Sequence, residues 1–298
     1  MAKSGKKARR AAPAKAGSRK QAARPRTFAR PLLIIGLLAL ALFAGWYAVW
    51  QYVRPYVLDY QDYQVTPEQV VVTSTPPWIH SDIRREVFRN ASLNGPLSVL
   101  DDDLTERIAH AFSLHPWVAK VHRVTKQHPA RVEVELEYRR PACMVEVPGG
   151  LFPVDAQGVL LPVGDFSPVE ASRYPRLAGV DTLPAGTVGE AWGDARVLGG
   201  AEIAAALADA WKELQLWQVR PADAATTGIV AEPTYELITR GGTHIFWGRA
   251  PGSNTAGELP SAEKVVRLLK YVREHGPLEG PNVPKRMDIQ DMRVSARP

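Results

Sequence analysis

The sequence predicts an α+β protein that is anchored by a single N-terminal transmembrane helix. Residues 31–53 form a run of 23 residues without a charged side chain, which is typical of a membrane-spanning helix. Residues 131–138 alternate between charged and apolar side chains, which is the pattern of a half-buried β-strand. Residues 104–112 instead place apolar side chains at helical spacing. Helices and strands are mixed along the 298-residue chain, which favours the α+β class.

The charge-free run at 31–53 is interpreted as an uncleaved transmembrane helix. As a helix it reaches ~34 Å, which is enough to cross a hydrocarbon core of ~30 Å. Aromatic residues crowd its far end, where the lipid headgroups are expected: Trp46, Tyr47, Trp50 and Tyr52. A cleavable signal peptide is the alternative. It is disfavoured because the basic stretch before the apolar run is longer than secretory signals need. In addition, Ala39 and Ala41, which have the spacing of a cleavage site, are followed by bulky aromatics.

Residues 1–30 form a basic tail. They hold eleven of the 37 basic residues and none of the 31 acidic ones, so the rest of the chain is slightly acidic. Their low-complexity composition predicts disorder. Positive charge beside a membrane span keeps that side in the cytoplasm, so we expect a type II protein whose later residues lie outside. Nucleic-acid binding by the tail is the less favoured alternative.

Residues 65–140 are predicted to form a first domain with the element order β-α-α-β-β. The predicted elements are a strand at 70–73, helices at 78–88 and 104–112, and strands at 117–125 and 131–138. Ser81 or Asp82 is the expected cap of the first helix. The three aspartates at 101–103 directly precede the second helix, where their negative charge is stabilised by the positive end of the helix dipole. A calcium site there is disfavoured, because the alternating ligands and the distal glutamate of such loops are missing from the sequence.

Residues 141–298 are predicted to form a second domain. The predicted elements are a hairpin at 151–161, a helix at 201–217, strands at 227–231, 235–240 and 243–247, a helix at 261–275 and a closing strand at 288–297. Asp155 and Gly158 mark the turn of the first hairpin. Ser261 is the expected cap of the last helix, and Gly276 is expected to end it.

Several motifs, in this order, carry a resemblance to a known family. They are His115-Pro116-Trp117-Val118, the alternating strand 131–138, the Arg139-Arg140-Pro141-Ala142 segment and the Asp155-Ala156-Gln157-Gly158 turn. The chain resembles the FtsQ/DivIB bacterial cell division proteins over roughly residues 30–297. The resemblance implies a POTRA domain at 65–140 and an FtsQ-type β domain at 141–298, the latter a mixed α/β domain with an open antiparallel sheet.

The resemblance also implies a function. Proteins of this family are bitopic scaffolds of the divisome in the inner membrane, with periplasmic C-terminal domains, and they lack catalytic activity. The implied partners are FtsB/DivIC-type and FtsL-type bitopic proteins and the septal peptidoglycan synthase complex, with the protein expected at the division septum. The alternative is a POTRA-containing envelope transport or secretion component, because POTRA domains also handle unfolded chains. A membrane-anchored enzyme is disfavoured because the sequence shows no recognisable catalytic site.

The end of the chain is the expected partner-binding site. The last strand of an open sheet often lies at its edge and presents unpaired N–H and C=O groups, which a partner strand can complete. The resemblance implies the same segment as the binding site of the FtsB/DivIC-type partner. The predicted partner-binding residues are Asp288, Ile289, Gln290, Asp291, Met292, Arg293 and Val294.

The sequence indicates no catalytic, cofactor-binding or metal-binding residues. It contains no phosphate-binding loop, nucleophile elbow or zinc protease motif. Five histidines fall between residues 80 and 128, but their spacing fits no metal site, so surface or turn positions are favoured. Cys143, the one cysteine, is expected to be a small core residue rather than a nucleophile.

Overall fold

The structure is a computed structural model, in which the chain divides into two compact units, Met1–Val57 and Leu58–Pro298. The structure describes residues 29–58, 63–91, 93, 95, 97–222, 232–253, 255–279, 283–290 and 293–295. The strand predicted at 227–231 therefore lies outside the described residues. The tail predicted to be disordered, residues 1–30, also lies outside them except for its last two residues.

Helix α1 spans Ala29–Leu58 and contains the predicted transmembrane segment. Among the described helices, Leu33–Arg54 is the stretch long and apolar enough to cross a membrane. Its large apolar side chains are exposed, including Leu42 and Trp46. Since an apolar surface of this length is unfavourable in water, the helix requires lipid or protein around it.

The 65–140 segment forms a three-stranded sheet covered by two helices. Its elements are β1 (Gln64–Val65), β2 (Val70–Val72), α2 (Ile83–Asn90), β3 (Leu97–Ser98), α3 (Leu104–Ser113), β4 (Val118–Gln127) and β5 (Arg131–Tyr138). The sheet order is β2-β5-β4, with β2 parallel and β4 antiparallel to β5, and β1 pairs separately with β3. The predicted β-α-α-β-β order is confirmed, with the short β1–β3 pair as an addition.

The first helix of this segment begins later than the sequence predicts. Asp82 caps α2, because its Oδ1 accepts a hydrogen bond from the backbone N–H of Arg85 at 3.3 Å. Trp78 and Ile79 therefore precede the helix, although Ile79 is buried with the helix stripe. Asp103 stands at the cap position of α3 without a side-chain capping bond, so only its charge favours that helix end.

The 141–298 segment contains an eight-stranded sheet. Its elements are β6 (Pro141–Val147), β7 (Gly150–Asp155), α4 (Pro168–Ala171), β8 (Arg176–Leu177), α5 (Ala195–Ala206), β9 (Leu216–Pro221), β10 (Thr234–Thr239), β11 (His244–Arg249), α6 (Ser261–His275), β12 (Arg286–Asp288) and β13 (Arg293–Ser295). The order is β13-β12-β11-β10-β9-β8-β6-β7.

This sheet is mixed and not antiparallel, which corrects the expected sheet type. The pairs β6–β8, β8–β9 and β11–β12 are parallel. The reason is the connectivity: α5 lies between β8 and β9 in the chain, and α6 lies between β11 and β12. A helical crossover returns the chain in the same direction, whereas a short turn reverses it. The α+β class itself is confirmed.

Three further predictions in this segment were wrong in detail. Helix α5 spans Ala195–Ala206 instead of 201–217, and Leu216–Pro221 form strand β9 directly after Gln215, which has a φ of 53°. Ser261 is the first residue of α6, and Pro260 precedes it without a side-chain capping bond. The strand predicted after Gly158 consists of isolated bridges, although the Asp155 turn itself is present.

The junction between the two segments is tightly bonded. Arg139 connects β5 to β6, and its Nη1 donates to Asp155 Oδ2 at 2.7 Å. Its backbone carbonyl accepts from Trp78 Nε1 at 3.1 Å, and its backbone N–H donates to the carbonyl of Trp117 at 2.8 Å. Trp117 is fully buried in the core of the 65–140 segment, and its Nε1 donates to Asp165 in the other segment.

Candidate functional site

The predicted partner-binding segment is a hairpin and not the single closing strand that the sequence predicts. Asp288 ends β12, Ile289 and Gln290 form the turn, and Arg293 and Val294 lie in β13. Asp291 and Met292 lie outside the described residues. The turn has no Gly or Pro signal. Instead, Asp288 Oδ1 accepts a hydrogen bond from the backbone N–H of Gln290 at 2.9 Å, at the start of the connection to β13.

Strand β13 lies at one end of the eight-stranded sheet. It pairs antiparallel with β12, with Met287 opposite Val294 and Asp288 opposite Arg293. Strand β12 is internal, because β11 pairs with it in parallel on the other side. Among the described residues, β13 has a paired strand on one side only. Within the hairpin, the backbone edge that could accept another strand therefore belongs to β13, and Asp288 does not contribute to it.

A buried lysine lies beneath this hairpin. Lys264, on α6, is 1% exposed, and its Nζ donates to the carbonyl oxygen of Trp247 at 2.8 Å and to Glu258 Oε1. The same ammonium lies 4.9 Å from the centroid of the Trp247 ring. A buried charge is tolerated only with such partners, so these contacts are structural requirements of the site.

Glu258 links the lysine to the turn. Its Oε2 accepts from Gln290 Nε2 at 2.7 Å, and its Oε1 accepts from the backbone N–H of Arg249 at 2.9 Å. Burial alone would raise the pKa of Glu258, but the hydrogen bonds from Lys264, Arg249 and Gln290 outweigh it and hold the pKa below its usual range. The carboxylate therefore stays ionised and keeps the turn attached to the body of the domain.

A second residue of α6 fixes the backbone of the turn. Arg267 Nη1 donates to the carbonyl oxygen of Gln290 at 2.8 Å, and its Nη2 donates to Glu263 Oε1 at 2.8 Å. Gln290 is thus held at its carbonyl by Arg267 of α6 and at its side chain by Glu258 of the loop before α6. We infer that Lys264, Glu258 and Arg267, the hairpin-support residues, position the β12–β13 hairpin.

Sequence reasoning missed the hairpin-support residues. One signal was available for Lys264: it precedes the buried Leu268 by four residues, so a cation stands on the apolar face of an amphipathic helix. No comparable signal marks Glu258, which lies in the loop before α6. Its partners come from three separate stretches of chain, and only the folded structure brings them together.

The described residues show no nucleophile in an activated environment. Cys143 on β6 is fully buried, and burial, with a smaller contribution from Asp155, raises the pKa of its thiol to about 12. His115 is also buried, and its Nε2 lies 3.1 Å from Glu86 Oε2, which joins the segment after α3 to α2. Within the described part of the chain, no three His, Cys, Asp or Glu side chains form a group that could hold a metal ion.

The fold and the hairpin define a class: an α+β protein with one apolar N-terminal helix and a terminal hairpin that is bonded at Gln290 to Glu258, the partner of the buried Lys264. No family model matches the chain. The chain is 31% identical over 172 residues to the cell division protein FtsQ of Anaeromyxobacter sp. (strain K). That match covers 56% of this chain and 50% of the relative, so the chain spans about half the length of the curated relative it matches. The similarity confirms the resemblance to the FtsQ/DivIB family that the sequence motifs indicate.

Proposed function

We propose that this chain is a bitopic membrane scaffold of the bacterial divisome that works as FtsQ-type proteins do. It binds FtsB/DivIC-type and FtsL-type proteins and links septal peptidoglycan synthesis to the division ring, without catalysing a reaction. The similarity to a curated FtsQ supports the division role. The apolar α1 helix supports membrane attachment.

The domain limits belong to the same proposal. We assign residues 65–140 to a POTRA domain and 141–298 to an FtsQ-type β domain. Two separate hydrophobic clusters support this division, since one draws almost entirely on residues 65–138 and the other on residues 143–289. The bonded junction at Arg139 lies between them.

The edge position of β13 is the observation that carries the partner-binding proposal. A strand of the FtsB/DivIC-type partner adds to β13, with the residues between Asp288 and Val294 supplying the surface around it. Backbone hydrogen bonds along an open edge give affinity, and alternate side chains give specificity. The hairpin-support residues hold this edge in place before the partner arrives, which lowers the entropy that binding must overcome.

A proline scan of the hairpin tests this proposal. Successive N–H groups of a strand point to opposite sides, so of Arg293→Pro and Val294→Pro one removes an outward donor and the other a donor to β12. Asp291→Pro and Met292→Pro extend the scan into the preceding residues. We expect the outward variant to fold normally and to lose capture of the FtsB-like partner in co-purification of the full-length proteins. Undiminished capture by every well-folded variant would eliminate this edge as the site.

Topology and location are tested separately. The eleven basic residues before Pro31 predict a cytoplasmic N-terminus and a periplasmic C-terminus. A reporter that is active only in the periplasm, fused after Pro298, is therefore expected to be active. A fluorescent fusion is expected to collect at the division septum of constricting cells. An even envelope distribution, together with defective outer-membrane protein assembly on depletion, would favour the transport alternative.

A further inference from the structure

A continuous groove, separate from the β13 edge, runs along the 141–298 segment and reaches the junction with the 65–140 segment. It consists of two adjoining clefts of about 410 and 590 Å³. Both clefts are lined by Arg173, Tyr174, Trp211 and Lys212. We propose that this groove is a docking site for an acidic peptide segment of a protein partner.

The charge of the groove selects an acidic occupant. Arg140 and Arg173 line its first cleft, Arg240 lines the second, and Lys212 lies in both. All four are exposed, and among the described residues no carboxylate lies within ion-pair distance of any of them. Four clustered cations repel one another, and carboxylates of a partner relieve that repulsion.

Two acidic residues, Glu279 and Glu170, lie near these cations. Glu279 lines the second cleft. Glu170 is close enough for Arg173 to lower its pKa, after the larger effect of the Ser167 hydrogen bonds. However, its Oε2 accepts from Ser167, and its Oε1 lies 3.5 Å from His80. The net charge presented to a ligand therefore stays positive.

The aromatic residues of the groove favour a peptide over a purely ionic ligand. The Trp217 ring is 36% exposed, and the guanidinium groups of Arg176 and Arg240 lie 4.8 and 5.4 Å from its centroid. Trp78 and Tyr174 are half-buried in the first cleft, above a floor that includes Trp211. Tryptophan, tyrosine and arginine are the residues that contribute most of the binding energy at protein interfaces.

The walls of the groove are fixed to each other. The carbonyl oxygen of Gln215 accepts a hydrogen bond from the backbone N–H of Arg240 at 2.9 Å, which ties the turn after α5 to the end of β10. Gln215 has a φ of 53°, which a non-glycine residue adopts at an energetic cost. A preformed groove loses little conformational entropy when a ligand binds.

Fluorescence anisotropy on the full-length protein in nanodiscs of neutral lipid tests this proposal. The probes are a labelled peptide rich in glutamate, leucine and tyrosine, its glutamine counterpart, and polyphosphate as an anion without apolar groups. We expect the acidic peptide to bind in a salt-dependent manner and the glutamine peptide to bind at least about tenfold more weakly. Polyphosphate is expected to compete poorly, because it cannot use the aromatic floor.

Charge-reversal variants localise the binding. Arg173→Glu combined with Lys212→Glu is expected to weaken peptide binding by about tenfold or more, and near-UV circular dichroism checks that the variant is folded. Arg89→Glu, which reverses an exposed cation on α2, serves as the matched control and is expected to bind normally. The proposal is overturned by absent binding, by equal binding of the glutamine peptide, by efficient competition from polyphosphate, or by equal losses in the two variants. The β13 proline variants are expected to bind the peptide normally, so the outcome is independent of the proposed FtsB-type contact.

Discussion

The indole N–H of Trp117 donates a 2.5 Å hydrogen bond to Asp165 Oδ2, which joins the core of the 65–140 segment to the 141–298 segment. The ring also lies 6.1 Å, between centroids, from Phe166. Trp117 is thus both a core residue and a contact between the two segments. The packing of the ring and the hydrogen bond of its N–H contribute separately to the free energy of unfolding, and two substitutions can distinguish the two contributions.

We expect Trp117→Ala to lower the free energy of unfolding by ~3–5 kcal/mol, because it removes a fully buried aromatic ring. Trp117→Phe keeps most of the packing but leaves Asp165 without its donor, with an expected cost of ~1–3 kcal/mol. Urea unfolding in detergent, followed by circular dichroism, measures both. Trp217→Ala, at an exposed ring, is the control and should cost ~1 kcal/mol. Equal losses at the two tryptophans would contradict the core role of Trp117.

We expect Lys264→Met to destabilise the protein by ~3–5 kcal/mol, because Glu258 loses its buried cationic partner. Adding Glu258→Gln to this variant is expected to restore part of the loss, since a neutral amide is less costly to bury. Amide hydrogen exchange should also become faster at Gln290, whose side chain Glu258 holds. Lys270→Met, at an exposed position of the same helix, is expected to change stability by less than ~0.5 kcal/mol. Similar exchange rates in both lysine variants would show that Lys264 does not support the hairpin.

The stability of the protein should depend on pH through Glu258. Its pKa is lowered in the folded state, so its contribution to stability is fully present above the pKa that the carboxyl group has in the unfolded chain. The unfolded chain binds the proton first as the pH falls, and stability is then lost as the pH drops through the folded-state pKa. The urea concentration at the unfolding midpoint is therefore expected to fall at acid pH. We expect Glu258→Gln to make this decrease smaller, and Glu133→Gln, at a strand surface, to leave it nearly unchanged. If the unfolding midpoint of Glu258→Gln decreased at acid pH as much as that of the wild-type protein, this carboxylate would be ruled out as the cause of the decrease.

Cys143 should resist maleimide labelling in the native protein. It is fully buried, and its thiol pKa is raised to about 12, so both access and the thiolate fraction are low. Labelling is expected to become complete in urea, as judged by the mass of the intact protein. Ser172→Cys places a thiol at an exposed position and is expected to react at once under native conditions. Rapid native labelling of the wild-type protein would show that β6 opens readily.

Local patterns in the sequence predict the elements that depend on short-range periodicity. In strand β5 buried and more exposed side chains alternate as the sequence indicates, and α6 spans the predicted residues. Both elements bury one face, so apolar residues recur along the sequence with the period of a strand or of a helix. The terminal hairpin could not be predicted, because residues 289–292, which connect its two strands, contain no Gly or Pro. The pairing of Lys264 with Glu258 and Gln290 depends on tertiary contacts that no local pattern encodes.

The junction at Arg139 has a mechanical consequence. Strand β5 ends at Tyr138 and β6 begins at Pro141, so the connection contains no slack chain. Arg139 is bonded through its backbone N–H, its carbonyl and its guanidinium. A pulling force applied to one segment is therefore transmitted directly to the other, so the two segments reorient together.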